Sequence, residues 1–420
     1  MDKFVIHGGR RLEGAIPVSG AKNATLALMP AALLAPGMFH LRNTPALRDV
    51  TTMSALLRSM GALVELKDNV LSLDTTGVER PEAPYEHVKK MRASIYVLGP
   101  LLARFGHARV SLPGGCAWGP RPVNLHIEGI RKLGAEVDLE AGYIVAKAKE
   151  LHGARIRFDV SSVGATGNIL MAAVLAKGPT IIENAAIEPE ITSLAKFLRN
   201  MGARIAGVGT NRLEIEGVPA LHPSDCDTIP DRIEAGTFLV AAAITGGRVT
   251  LQNALPGDLS AVIGKLQDAG CSITCESSTI TLDAPHAVHP VDVTASIFPG
   301  FPTDMQAQWT SLMTIAMGTS VVTDNIYFDR FKHVPELIRL GADIELKENA
   351  AVVKGVRRLV GAKVMSTDLR ASASLILAGL IAEGSTEVLR VYHIDRGYEG
   401  IERKLQRLGA DIRREAGEEF

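Results

Sequence analysis

Cys116 lies in a segment that glycine and proline keep from forming a regular helix or strand. The segment contains Pro113, Gly114, Gly115, Gly119 and Pro120. It separates a strand predicted at 108–112 from a helix predicted at 123–133, so we expect an exposed, mobile loop, a common place for chemistry. Arg121 follows five residues after the thiol, and a nearby cation favours the nucleophilic thiolate. Taken alone, the loop also fits a surface turn with an incidental cysteine.

Polar residues concentrate where six apolar, alanine-rich segments begin. The equivalent positions lie 38 to 42 residues before a repeated glycine and are Lys22, Arg92, Gly164, Arg232, Thr303 and Arg370. Helix starts attract anions and are unfavourable places for cations. If the six starts converge on one cleft, they predict a site for a polyanionic substrate. For each cation alone, a side chain that reaches solvent is the alternative.

The elements that would position these residues are six copies of one unit. A hydrophobic residue, a glycine and a small residue recur at Gly61, Gly134, Gly202, Gly270, Gly341 and Gly409, with spacings of 73, 68, 68, 71 and 68 residues. Six occurrences at nearly constant spacing indicate an internal repeat. Each glycine is predicted to end an amphipathic helix in the left-handed conformation, with a strand beyond it.

Each copy also contains an earlier helix that has almost no polar face and is therefore predicted to be buried. These helices are predicted at 24–34, 95–103, 168–176, 236–244, 306–317 and 371–381. Three copies precede and three follow a proline-rich boundary at 219–230. The strand around Phe4, Val5 and Ile6 is expected to return to the second half.

Composition excludes several classes of protein. The chain has 420 residues, 46% of them hydrophobic and 22% charged, with a formal net charge of −1. This balance is typical of a globular protein of two or three domains and argues against general affinity for nucleic acids or membranes. The N-terminus lacks a signal-peptide pattern and no apolar run reaches transmembrane length. Four cysteines do not make a disulfide framework, which fits a cytoplasmic location.

Several motifs together resemble the enolpyruvyl transferases that act on UDP-N-acetylglucosamine. They are Gly20-Ala21-Lys22-Asn23, Leu112-Pro113-Gly114-Gly115-Cys116, Arg121-Pro122-Val123, the run from Phe301 to Gln306, the run from Asp368 to Ser372 and the run from His393 to Tyr398. The resemblance covers essentially the whole chain. It implies an α/β fold, an inside-out α/β barrel with two domains, each of three repeated α/β units with buried helices. The predicted domains are 21–228, with the cysteine loop, and 1–20 plus 229–420.

The resemblance also assigns roles. Phosphoenolpyruvate would be held by Lys22, Arg121 and Arg396, with Arg92 and Arg370 completing the cationic cleft. The UDP-sugar would contact Asn23, Arg121, Pro122, Val123, Asn124, Leu125, Ser162, Val163, Asp304 and Ile326, and Arg330 is a further predicted substrate contact. Cys116 would be the general acid and form an adduct with phosphoenolpyruvate. Asp304 would take the proton from the sugar 3-hydroxyl.

These residue types suit the reaction. Protonation of the methylene carbon of phosphoenolpyruvate creates a cationic centre that the hydroxyl attacks, and phosphate then leaves, which requires an acid, a base and cations. No metal or cofactor is required, and a monomer is favoured. Two positions depart from the family: Asn124, where relatives usually carry Asp, and Trp118, where a smaller residue is expected.

Other interpretations remain. The sister transferase of the shikimate pathway lacks the loop cysteine and the Gly20–Asn23 motif. A catalytically silent nucleotide-sugar-binding protein is disfavoured by the presence of both Cys116 and Asp304. Cys271 and Cys275, with two downstream histidines, fit no common zinc spacing, and the segment 272–281 is predicted to be a pair of strands. Cys226 is expected to be structural. His333 and His393 are expected to be packing or hydrogen-bonding residues, with a substrate contact as the alternative.

Overall fold

A computed structural model describes residues 2–89, 91–112 and 123–417. Cys116, Trp118, Arg121 and Pro122 therefore lie outside the described residues. The chain divides into two compact units, which we call the continuous unit (20–229) and the discontinuous unit (1–19 with 230–420).

The chain begins in the discontinuous unit with two strands, β1 (Asp2–His7) and β2 (Glu13–Pro17). The helices of the continuous unit are α1 (Lys22–Ala31), α2 (Arg48–Ser59), α3 (Tyr85–Val88), α4 (Leu98–Phe105), α5 (Asn124–Lys132), α6 (Val163–Ala173) and α7 (Pro189–Asn200). Its strands are β3 (Met38–Arg42), β4 (Leu63–Lys67), β5 (Val70–Asp74), β6 (Glu82–Ala83), β7 (His107–Ser111), β8 (Glu136–Glu140), β9 (Tyr143–Lys147), β10 (Arg155–Arg157), β11 (Pro179–Glu183), β12 (Arg204–Ala206), β13 (Arg212–Glu216) and β14 (Cys226–Asp227). Short 3-10 helices cover Ala32–Leu34 and Arg92–Val97.

The discontinuous unit resumes with the helices α8 (Arg232–Ile244), α9 (Ser260–Asp268), α10 (Gln306–Met313), α11 (Val334–Arg339), α12 (Leu369–Gly379) and α13 (Ile401–Arg407). Its strands are β15 (Arg248–Gln252), β16 (Ser272–Cys275), β17 (Thr279–Asp283), β18 (Val293–Ala295), β19 (Thr319–Asp324), β20 (Asp343–Lys347), β21 (Ala350–Lys354), β22 (Lys363–Met365), β23 (Ser385–Leu389) and β24 (Asp411–Ala416). The 3-10 helices Pro256–Leu259, Thr303–Met305 and Val391–Arg396 precede helices or turns.

The described residues form six four-stranded sheets that share one plan. In the continuous unit the strand orders are β14-β3-β5-β4, β6-β7-β9-β8 and β10-β11-β13-β12. In the discontinuous unit they are β2-β15-β17-β16, β18-β19-β21-β20 and β22-β23-β1-β24. The first two strands of each order are parallel, and the other neighbours are antiparallel. A mixed α/β fold built from repeated units is thus confirmed.

The six apolar helices are buried, as predicted, and form the core of their units together with the apolar face of each sheet. The repeat glycines have φ between 93° and 109°, which confirms that each one leaves its helix in a conformation that favours glycine. The helix predicted at 306–317 ends earlier, at Met313. There the Thr314 hydroxyl donates to the Ser311 carbonyl at 2.6 Å, and the backbone amide of Thr314 bonds the same carbonyl, so the last turn tightens.

The N-terminal strand returns to the second half, as predicted, because β1 pairs with both β23 and β24. Two other strands, which lie just before the points where the chain passes from one unit to the other, also pair with strands distant in sequence. Strand β2 precedes α1 but pairs with β15, whereas β14 precedes α8 but pairs with β3. Among the described residues, no helix combines the length and hydropathy needed to span a membrane.

Candidate functional site

Asp304 lies at the start of an apolar helix and is held by two arginines. Its Oδ1 accepts a hydrogen bond from Arg330 Nη2 at 2.6 Å, and its Oδ2 accepts one from Arg370 Nη2 at 2.8 Å. Both arginine side chains are buried, while that of Asp304 is 26% exposed. The Asp304 carboxylate therefore bridges the two guanidinium groups through charge-assisted hydrogen bonds.

Arg370 is fixed at the N-terminus of α12. The Asp368 side chain caps this helix by accepting from the backbone amides of Arg370 and Ala371. Burial lowers the pKa of Arg370, but the Asp304 carboxylate more than offsets this, so that its pKa is raised overall. Arg370 therefore stays charged in a buried position.

Three buried residues that the site prediction missed surround this ion pair. The Tyr398 hydroxyl accepts from Arg370 Nη1 at 3.2 Å and lies 2.8 Å from Thr237 Oγ1. Because Thr237 gives its proton to the Ile233 carbonyl, Tyr398 donates to Thr237. Gln308 Nε2 donates to the Asp304 carbonyl and to Tyr398. Tyr398 ends the family motif that runs from His393. In the sequence, Gln308 and Thr237 are recognisable only as polar residues on apolar helices.

Ile326 is linked to Asp304 through a buried carboxylate, Asp324, which the sequence analysis also missed. Asp324 Oδ1 accepts from the amides of Ile326 and Tyr327, each at 2.9 Å. Its Oδ2 accepts from Thr303 Oγ1 at 2.6 Å, and Thr303 accepts from Arg330 Nη1 at 2.9 Å. The predicted sugar contact and the predicted base thus share one network.

Arg396 belongs to the same unit as this network. It ends the 3-10 helix Val391–Arg396 and is half-buried, two residues before Tyr398. Among the predicted residues of this unit, Asp304, Ile326, Arg330 and Arg370 share one hydrogen-bonded network.

In the continuous unit, Lys22 begins α1 and Asn23 follows it. Lys22 Nζ lies 3.6 Å from Oδ2 of Asp49, a buried residue in the first turn of α2. The carboxylate at the start of α2 suits the dipole of that helix and holds a cation at the start of α1. Asp49 is a further residue that the site prediction missed.

The other predicted residues of this unit lie on elements that pack in succession. Arg92 begins a 3-10 helix that packs against both α1 and α6, and α6 packs against α5. Ser162 caps α6 by accepting from the Ala165 amide, and the Val163 carbonyl accepts from Tyr96 Oη. Val123 precedes α5, whose first residues are Asn124 and Leu125.

A buried pair fixes α5 against α6. Asn168 Nδ2 lies 3.0 Å from His126 Nδ1 and also donates to the Ile95 carbonyl. Burial, with a smaller contribution from Arg92, lowers the pKa of His126 to about 4. The imidazole is therefore neutral near pH 7 and accepts at Nδ1.

The remaining predictions concern residues outside these clusters. Strand β16, which contains Cys275, pairs with β17, so the pair of strands predicted at 272–281 is confirmed. His333 is buried and stacks on Phe331, with its pKa lowered to about 3 by burial, as a packing residue would be. Within the described ranges, no three His, Cys, Asp or Glu side chains form a group that could hold a metal ion.

An open cavity of about 540 Å³ lies on the sheet that contains β11, β12 and β13. Its lining includes Arg199, Arg204, Glu214 and Glu216 but none of the predicted site residues. We assign it no part in the site, because its charged walls are open to solvent and carry no convergent buried groups.

Comparison with known proteins places these features in context. The family model described as EPSP synthase (3-phosphoshikimate 1-carboxyvinyltransferase) matches residues 6–405. A UDP-N-acetylglucosamine 1-carboxyvinyltransferase of Chlorobium limicola is 60% identical over 423 residues and covers 100% of both chains. One of Geobacter metallireducens is 55% identical over 414 residues and covers 99% of both.

Solved structures agree in fold. The enolpyruvyl transferase NikO from Streptomyces tendae has a TM-score of 0.89 at 27% identity over 98% of both chains. An EPSP synthase from Acinetobacter baumannii has a TM-score of 0.75 at 19% identity, over 99% of this chain and all of the other. At that identity the second likeness concerns the fold alone.

Proposed function

The chain belongs to the UDP-N-acetylglucosamine 1-carboxyvinyltransferase family, and we propose that it transfers the enolpyruvyl group of phosphoenolpyruvate to the 3-hydroxyl of UDP-N-acetylglucosamine with release of phosphate. The observation that carries this is identity of 55–60% to relatives of that name over essentially the whole chain. The reaction would be the first committed step of peptidoglycan synthesis, in the cytoplasm. It would thus serve cell wall biogenesis, cell shape and cell division.

The residues have the following proposed roles. Cys116 protonates the methylene carbon of phosphoenolpyruvate, and Asp304 takes the proton of the 3-hydroxyl as its oxygen attacks the adjacent carbon. The tetrahedral intermediate then expels phosphate and returns a proton of its new methyl group to the Cys116 thiolate, which restores the carbon–carbon double bond. The cations that hold the carboxylate and phosphate are Lys22, Arg92, Arg121, Arg370 and Arg396. The contact of Lys22 with Asp49 and that of Arg370 with Tyr398 support this assignment, since both hold cations at helix starts.

The UDP-sugar has a proposed set of contacts of its own. The contacts are Asn23, Arg121, Pro122, Val123, Asn124, Leu125, Ser162, Val163, Asp304, Ile326 and Arg330. Asn124 offers an amide where relatives usually carry a carboxylate, which would alter a hydrogen bond to the uracil ring. The proposed architecture is the inside-out α/β barrel of two three-unit domains, and the likeness to NikO supports it. We also propose that the protein acts as a monomer.

A phosphate-release assay with phosphoenolpyruvate and a panel of acceptors tests the function. UDP-N-acetylglucosamine should support release, whereas shikimate 3-phosphate should not. Binding of UDP-N-acetylglucosamine without phosphate release would instead indicate a silent nucleotide-sugar-binding protein. Release with shikimate 3-phosphate alone would indicate the sister activity.

Asp304→Asn tests the proposed base in the same assay. The amide keeps the size of the side chain and one acceptor for an arginine, but cannot take a proton. We expect turnover to fall at least about a hundredfold, while the affinity for UDP-N-acetylglucosamine, measured by calorimetry, changes less than about tenfold. Near-normal turnover would remove Asp304 from the mechanism.

A further inference from the structure

Thr303 differs in side-chain chemistry from the other five repeat positions at which the apolar helices begin. Four of these positions carry a cation, one is Gly164, and Thr303 alone carries a hydroxyl. It begins the 3-10 helix that leads into α10, directly before the proposed base Asp304. The proposed function gives Thr303 no role, although its hydroxyl lies between the buried Asp324 and Arg330.

The hydrogen-bond directions in this cluster are determined by the donors available. The Asp324 side chain is buried, and its Oδ1 already accepts two backbone amides. Its Oδ2 lies 2.6 Å from Thr303 Oγ1, so the single hydroxyl proton of Thr303 goes to Asp324. The lone pairs of Thr303 are then left to accept from Arg330 Nη1, at 2.9 Å.

This acceptor fixes the rotation of the guanidinium group. Arg330 donates from Nη1 to Thr303 and from Nη2 to Asp304 Oδ1. The guanidinium is planar, so two anchored nitrogens define where the Asp304 carboxylate must lie. The other carboxylate oxygen is held by Arg370.

We propose that Thr303 is a positioning residue for the transfer reaction: its hydroxyl holds Arg330, and through Arg330 it holds Asp304 in the orientation that receives the proton of the sugar hydroxyl. This rests on the proposed function. The same carboxylate of Asp324 holds the turn at Ile326 and Tyr327, so the sugar-binding turn and the base are built on one buried group.

Thr303→Val tests the role, because it keeps the shape of the side chain and removes the hydroxyl. We expect kcat to fall at least about tenfold, since displacing a reacting group by a fraction of an ångström is costly. The KM and the dissociation constant for UDP-N-acetylglucosamine should change less than about threefold, because Asp324 still accepts the two amides of the turn. Thr303→Ser should restore kcat to within about threefold of the original chain.

Thr310→Val is the matched control. Thr310 lies in α10, is fully buried, and gives its hydroxyl proton to the Gln306 carbonyl of its own helix. The Thr310→Val variant loses a buried hydroxyl that bonds its own helix rather than Arg330, so its kcat should stay near that of the original chain. A fall in Thr310→Val as large as that in Thr303→Val would assign the effect to α10 packing and overturn the proposal.

A double-mutant cycle shows whether Thr303 acts through Arg330. In an Arg330→Lys background, where the two-nitrogen link is already lost, Thr303→Val should lower kcat less than about twofold further. A full, additive loss would overturn the proposal, as would normal kcat in Thr303→Val alone. If the original chain releases no phosphate with UDP-N-acetylglucosamine, the proposed function fails first, and that result is distinct from the others.

Discussion

Cys226 is half-buried and Cys271 is buried, and this burial raises the pKa of each thiol to about 12. The pKa of Cys275 is also raised by burial, although part of its surface is exposed. These three cysteines are therefore almost entirely protonated at neutral pH, and a protonated thiol is a poor nucleophile. Cys116, with Arg121 nearby in sequence, is the remaining cysteine.

The family resemblance suggests fosfomycin, an electrophile shaped like phosphoenolpyruvate, as the probe, and we expect it to alkylate Cys116 and spare the other three cysteines. We expect one adduct per chain in peptide mapping by mass spectrometry, formed faster in the presence of UDP-N-acetylglucosamine. Cys116→Asp keeps a proton donor but no sulfur nucleophile, so it should retain turnover and form no adduct. A label on Cys226, Cys271 or Cys275, or a rate that UDP-N-acetylglucosamine does not change, would contradict this.

His126 should make the continuous unit sensitive to mild acid. Its pKa is lowered to about 4 by burial and by Arg92, whereas an unfolded histidine titrates near pH 6.5. Below pH 6.5 the unfolded chain binds a proton that the folded chain refuses, so the free energy of unfolding falls as the pH falls towards 4. Between pH 7 and pH 5 this loss is about 2 kcal/mol.

His126→Gln provides the comparison, because its amide oxygen can still accept from Asn168 Nδ2 but does not titrate. Urea unfolding at pH 7 and pH 5 should show a smaller loss in the variant, by about 2 kcal/mol. The ordinary acid sensitivity from His333 and from carboxylates is common to both chains. Equal losses in the two chains would show that His126 titrates normally in the folded protein.

At the scale of elements, each copy of the repeat ends its amphipathic helix, the one before the repeat glycine, in the same way. The glycine turns the chain, and in several copies the residue three positions earlier donates a side-chain hydrogen bond to a carbonyl in the following strand. The donors are Arg58, Arg131, Arg199 and Gln406, and each acceptor lies six residues further on. The glycine and this bond together set the angle between helix and strand.

Gly341→Ala and Gly264→Ala separate backbone strain from loss of space. A Cβ at either position would meet nothing within 4 Å, but Gly341 has φ of +95°, whereas Gly264 lies inside α9. Gly341→Ala should lower the free energy of unfolding by about 1–2 kcal/mol. Gly264→Ala should raise it by about 0.5–1 kcal/mol, because alanine favours the helix. Urea unfolding measures both, and a shift of the same sign in the two variants would contradict the assignment.

The features that sequence predicted depend on neighbours along the chain. The buried helices follow from apolar runs, and the turns at Gly61 or Gly409 follow from a glycine between a helix pattern and a strand pattern. The network around Asp304 joins residues far apart in sequence, such as Thr303 with Asp324 and Asp304 with Arg370. Periodicity contains no information about which buried polar groups will meet, so Asp324 and Gln308 were missed. The same limit applies to the partners of β2 and β14.

At the scale of the whole molecule, one sheet differs from the other five in how the chain enters it. In five sheets the two antiparallel strands after the glycine form a continuous hairpin: β4–β5, β8–β9, β12–β13, β16–β17 and β20–β21. In the sixth these strands are β24 and β1, at opposite ends of the chain, yet their register places Asp2 opposite Ala416. The sixth copy is therefore complete in space although it is divided in sequence.

A circular permutant tests whether the sixth copy needs that division. Joining Ala416 to Asp2 through a two-residue Asn-Gly turn would make the sixth hairpin continuous, since this turn suits antiparallel neighbours. New ends between Gly209 and Thr210 would open an exposed turn between β12 and β13. We expect this permutant to fold and to release phosphate from phosphoenolpyruvate within about tenfold of the original rate.

The control permutant keeps the same joint but has its new ends between Ile181 and Ile182 in β11. This strand is paired on both sides, so the control should not fold. Failure of the first permutant would show that the sixth copy needs its division in sequence, whereas equal activity of the two permutants would show that the new ends need not avoid a paired strand.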